Sequence, residues 1–139
     1  MKLLVKKTTG VFGMELTNEL NTTVEMNATS ALGGEDRGFR PMELLAGSLA
    51  GCSTIDVLFI LNKQKIQPKA FEVDVQATRR EDEVPAIFER IRLIFKSSPE
   101  VDQQKLKKAI ELSIEKYCSV AKILEPTCVI EWEVKPLND

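Results

Sequence analysis

Histidine is absent from all 139 residues. That removes Ser-His-Asp triads, Cys-His dyads, HExxH zinc sites and imidazole acid-base catalysis together. Cysteine is scarce. Three thiols are too few and too oddly numbered for a disulfide scaffold, so a reducing cytoplasm is the expected setting. Excess charge is lacking too. Nineteen basic residues face 21 acidic ones, for a net charge of -2. This excludes nucleic acid as an expected partner, because gripping a phosphate backbone needs a concentrated positive surface. Lys63-Gln64-Lys65 and Lys105 to Lys108 read as solvated helix ends and faces. Uninterrupted apolar runs are short. Met1 to Val5 is basic then apolar, but Lys6 and Lys7 end it before a secretory core forms, so no signal is expected. Leu44 to Leu61 contains Ser48, Ser53, Thr54 and Asp56 and reads as a buried helix, with no membrane span expected.

What remains is an ordinary soluble composition, 43% apolar and 29% charged, long enough to bury a core as one domain over residues 1–139. The first 30 residues suggest two or three antiparallel strands, with Gly10 and Gly13 as turn signals and Gly33 to Gly38 as a loop. Pro41 suits a first helical turn, Glu43 complements the positive end of the dipole, and Gln67-Pro68 stops the helix. Within it, Leu45, Leu49, Cys52, Ile55 and Phe59 recur at helical spacing and define an expected apolar stripe. Gly47 and Gly51 each lower helix propensity by about 1 kcal/mol, which predicts a tight helix–helix crossing there.

Phe71 to Thr78 alternates as a half-buried strand, and Ile87 to Phe95 follows as its hairpin partner. A second helix puts Leu106, Ala109, Ile110, Ser113, Ile114 and Tyr117 on one face, with Cys118 near its end. Ser119 to Leu124 suggests a further short helix. Thr127 to Val134 is an amphipathic strand carrying Cys128 on its apolar side. The fold class is α+β. So apolar a central helix needs cover on nearly all sides, which points to a homodimer.

With no histidine, candidate reactive groups are thiols, carboxylates and arginines. A single buried cysteine is most often a small hydrophobe, and that reading suits Cys128. Spacing alone does not bring Cys52 and Cys118 together. Asp56, four residues after Cys52, shares its side of the helix. It is a paired acid fixing Arg40 or Arg37, a catalytic group, or a solvent-facing aspartate. Three scattered thiols without histidine offer no recognisable metal-ligand spacing, so no metal is expected.

The segment Arg40-Pro-Met-Glu-Leu-Leu-Ala-Gly-Ser-Leu-Ala-Gly-Cys52-Ser-Thr-Ile-Asp56-Val resembles the helix of the OsmC/Ohr family, the osmotically inducible and organic-hydroperoxide-resistance proteins. Tyr117-Cys118-Ser-Val resembles that family's second cysteine motif. The Arg-Pro-x-Glu-Leu-Leu and Cys-x-x-x-Asp-Val pattern is most similar to its YhfA-type branch. The resemblance covers nearly the whole chain. It implies an intertwined homodimer of strongly curved antiparallel sheets wrapped around two central helices. It implies a thiol peroxidase, with Cys52 attacking organic hydroperoxide or hydrogen peroxide and Cys118 resolving the product as a disulfide. An external dithiol would restore both thiols, and no bound cofactor is required.

Leu45, Leu49, Ile55, Asp56 and Phe59 would line the ligand site. Met42 stands where the family's peroxidases carry glutamate, and no arginine precedes residue 37. Glu43 and Arg40 are therefore the candidates for the activating charges. The rival readings are a dimer binding a small hydrophobic ligand without catalysis, and a slow thiol redox sensor in stress response.

Overall fold

The structure, a computed structural model, describes residues 1–137. It divides into two compact units, Met1–Leu45 and Ala46–Asp139. The first unit holds β1 (Leu3–Lys7), β2 (Met14–Asn18) and β3 (Thr23–Met26) as an antiparallel sheet in sequence order. Leu3 lies opposite Asn18, and Met14 opposite Met26. The β1–β2 turn needs its glycines. Gly10 adopts φ +60°, and a Cβ on Gly13 would sit 2.3 Å from the Thr9 carbonyl oxygen. Asn18 Oδ1 accepts the N–H groups of Leu20 and Thr22 and shapes the β2–β3 turn. The loop returns along β3, where Phe39 N–H donates to Glu25 O at 2.9 Å.

Helix α1 (Pro41–Lys63) begins at the predicted proline and ends before Gln67-Pro68. The second unit holds β4 (Phe71–Arg79), β5 (Phe88–Ser97), α2 (Gln103–Leu112), α3 (Ser119–Leu124) and β6 (Val129–Pro136). β4 and β5 form the expected antiparallel hairpin. β6 joins β5 in parallel rather than antiparallel, because α2 and α3 carry the chain back across the sheet.

An irregularity between Thr78 and Arg79 inserts an extra residue into β5, so that Arg79 faces Phe88 rather than Glu89. This reverses the strand's phase. Phe88 is therefore buried although it has opposite parity to buried Ile91, Leu93 and Phe95. On the charged side, Lys96 pairs with Asp74 at 2.6 Å and Arg92 with Glu133 at 3.0 Å. The core of this unit comes from Leu49, Val57 and Leu61 of α1, Leu93 and Phe95 of β5, and Leu106 and Ile110 of α2.

The buried face of α1 differs from the expected stripe. Ala46, Leu49, Ala50, Ser53, Val57 and Leu61 are buried. Ile55 is 71% and Phe59 59% exposed, and Leu45 is also exposed. The helix is apolar nearly all round, so periodicity does not select the face that turns inward. By length and composition α1 could cross a membrane, yet its Leu49–Val57–Leu61 side is core. Among the described residues, no other part of this chain packs on the glycines. Apart from the adjoining residues and the helix's own backbone, nothing described lies within 4 Å of a Cβ placed at Gly47 or Gly51.

A further difference lies beyond α2. The chain does not continue as a regular helix to Cys118. Ser113–Tyr117 is a π turn, whose extra residue per turn rotates Tyr117 outward to 52% exposure while Ser113 stays buried.

Candidate thiol site

Cys52 stands on α1, four residues before Asp56, and is half-buried. Cys118 does not sit late in a helix. It leaves the π turn with extended backbone angles (φ -72°, ψ 108°) and caps α3, its Sγ accepting the Ala121 N–H at 3.4 Å. This break in the helical path aims the Cys118 side chain inward, and only 2% of the residue remains exposed.

The ligand atoms of Cys52, Asp56 and Cys118 lie within 4.8 Å of one another. All three cysteines are free thiols. A disulfide needs sulfurs about 2 Å apart, so the two sulfurs must draw together before a bond can form.

Ser113 holds the carboxylate. Its Oγ lies 2.9 Å from Asp56 Oδ2, to which it donates, and 3.3 Å from the Ser53 carbonyl oxygen. Asp56 is thus a half-buried acid tied to the π turn. Sequence reading placed Ser113 on an apolar face and gave it no polar task. A hydroxyl among buried alkyl groups was the available signal, since buried polar groups find partners.

Burial pushes the Cys118 thiol up from its ordinary 9.0 to about 11, and nearby Cys52 adds to the effect, while the Ala121 N–H pulls the other way. Cys118 therefore keeps its proton at neutral pH. Cys128 is buried elsewhere, at the start of β6, with its Sγ 3.5 Å from the Leu124 carbonyl oxygen. Its thiol is also pushed up by burial.

The expected apolar lining is dispersed. Leu49 is wholly buried in the core, whereas Leu45 and Ile55 lie on the exposed side of α1. Asp56 and Phe59 do come together. With Ile60, Lys63, Leu112 and Tyr117 they border a pocket of about 520 Å³. Lys63 Nζ lies 4.6 Å above the Phe59 ring.

Arg40 and Glu43 belong to the first unit, in a cluster with Asp36. Arg40 Nη2 is 3.0 Å from Asp36 Oδ1, and Glu43 Oε2 accepts the Arg40 backbone N–H at 2.9 Å. That last bond is one half of a capping box at the start of α1. Hydrogen bonds from Ser30, then the Arg40 guanidinium, hold the Asp36 carboxyl below the usual carboxylate range. Arg37 pairs with Glu25 at 2.7 Å.

The site thus sets a half-buried thiol beside a buried one at a helix break. The family model for OsmC-like proteins matches residues 33–133. The chain belongs to the OsmC-like family. Protein YhfA of Escherichia coli K12 is 40% identical over 91 residues, which are 65% of this chain and 67% of that protein.

Among solved structures, a hypothetical protein from Aquifex aeolicus is 29% identical with a TM-score of 0.79, covering 99% of this chain and 97% of the other. An organic hydroperoxide resistance protein from Legionella pneumophila has a TM-score of 0.73 at 15% identity, covering 97% of each chain. At that identity it supports the fold alone.

Proposed function

We propose that this chain is a thiol-dependent peroxidase, with Cys52 as nucleophile and Cys118 as resolving thiol. The observation that carries the reading is the approach of the two sulfurs to within 4.8 Å. The Cys52 thiolate attacks the terminal oxygen of a hydroperoxide. An S–O bond forms, the O–O bond breaks, and the departing alkoxide takes a proton to leave as an alcohol. Cys118 then attacks the Cys52 sulfur. The S–S bond forms, the S–O bond breaks, and hydroxide leaves as water with the Cys118 proton. Two exchanges with an external dithiol return both thiols. Arg40 is proposed to supply the positive charge that favours the Cys52 thiolate, and Glu43, whose carboxylate accepts the Arg40 backbone N–H, to position it. Unchanged rates in Arg40→Gln and Glu43→Gln would remove both roles.

The test is titration of the purified, reduced protein with cumene hydroperoxide while free thiols are counted. Two of the three thiols should disappear rapidly, Cys128 should remain, and Cys52→Ser should abolish the loss. A rate no faster than that of a small-molecule thiol would sink the proposal.

The pocket beside Asp56 favours one rival. Its apolar rings and single carboxylate suit a small hydrophobic ligand with a polar end, bound without chemistry. Retention of such a ligand by protein that fails the peroxide test would decide for it.

The same proposal includes a homodimer working in the cytoplasm. Ile55, Leu58 and Phe59 leave apolar surface on α1 that a second copy would cover. Sedimentation of a single species at monomer mass, at micromolar concentration, would remove the dimer.

A further inference from the structure

Sequence spacing predicts no metal site, because the ligands come from separate segments. The fold nevertheless assembles two sulfurs and one carboxylate. Cys52 and Asp56 are one helical turn apart on α1, and Cys118 arrives from the break before α3. We infer that Cys52, Asp56 and Cys118 form a binding site for a thiophilic divalent cation of the zinc type, with a fourth position open to water or an external ligand.

The chemistry of the donor set supports this. Soft thiolates select zinc over magnesium or calcium, and the oxygen donor favours a divalent cation over monovalent copper. In a tetrahedral site with metal–sulfur bonds of about 2.3 Å, the two sulfurs stand about 3.8 Å apart. The three donor atoms are already within 4.8 Å of one another, so closing on a cation takes a movement of about 1 Å, within the reach of side-chain rotation. The carboxylate is oriented from behind. Ser113 Oγ donates to Asp56 Oδ2, as outer partners of metal ligands do. That bond uses one of about four acceptor positions on the carboxylate and leaves the others for a metal. Cys118 is buried while Cys52 and Asp56 are half-buried, so the cluster keeps a side open to solvent. Open sites with three protein ligands are the form in which zinc takes a water or substrate.

This inference rests on the juxtaposition of the three side chains and not on peroxide turnover. The same sulfurs would serve both, so a bound cation and a disulfide exclude each other.

Cobalt(II) is the probe, added to reduced protein free of thiol buffers. Wild type and Cys128→Ser should each bind one equivalent per chain, with sulfur-to-cobalt charge-transfer bands and the intense visible bands of four-coordinate cobalt. Cys52→Ser and Cys118→Ser should each lose about half the charge-transfer intensity. Serine keeps the α3 cap, so the latter variant retains its fold. Asp56→Asn should weaken binding by about tenfold or more while the charge-transfer bands persist. Absence of saturable binding in wild type, equal binding by the Cys52→Ser, Cys118→Ser double variant, or loss of binding in Cys128→Ser would each overturn the site. Since no variant needs to turn over peroxide, a failed peroxidase reading leaves this result readable.

Discussion

The two sides of α1 have nearly the same hydrophobicity and opposite fates. One side, Leu49, Ser53, Val57 and Leu61, is fully buried in its unit. The other, with Gly47, Gly51, Ile55 and Phe59, faces outward. Apolar composition on a helix thus does not by itself say which side the chain's own core will cover.

The comparison can be broken from either side. Leu49→Ala or Leu61→Ala should cost about 2–5 kcal/mol in urea unfolding, because each leaves a cavity in a closed core. A loss below 1 kcal/mol would mean that this side is less closed than it looks. On the open side, Ile55→Asp or Phe59→Asp should cost about 2 kcal/mol of association, roughly a thirtyfold rise in the dissociation constant of the proposed dimer by sedimentation. Unfolding of the separated protomer should hardly change. Unaltered association would show that the exposed side is not the dimer surface.

A third test concerns the thiol at the helix break. The folded state holds the Cys118 proton more tightly than the unfolded chain, so stability is retained below pH 9 and falls as pH rises towards about 11. Denaturant midpoints of wild type should decline more steeply across that window than those of Cys118→Ser. Parallel curves would contradict the burial. The smallest effect belongs to Gly51→Ala. With open space around its Cβ, alanine should stabilise the helix by about 1 kcal/mol or less. A loss of dimer in the same variant would show that a partner's backbone approaches there.

Much of this architecture was legible in the sequence. Pro41 and Gln67-Pro68 bracket α1, and alternation marks β4 and β6. The choice of buried face was not legible, because Leu45, Ile55 and Phe59 are as apolar as Leu49 and Val57. The parallel pairing of β6 was hidden as well, since a strand's own pattern shows its two faces but not its neighbour's direction. The π turn was hidden for another reason. One extra residue in a turn leaves the composition unchanged while moving Tyr117 from the expected apolar face into solvent. At the site, the one-turn spacing of Cys52 and Asp56 could be read from helical geometry. The meeting with Cys118 came only from the family resemblance, because it depends on a bend between two helical segments. Ser113 escaped notice since its partner carboxylate lies on another helix.

That bend has a consequence for what oxidation would do to the backbone. The Cys118 sulfur is also the acceptor that holds the Ala121 N–H at the start of α3. A sulfur that leaves its present position to bond Cys52 would alter that contact. α3 has only six residues, and so short a helix owes little to its own propensity. Formation of the proposed disulfide should therefore register in the amide-exchange rate of Ala121, three positions along the chain.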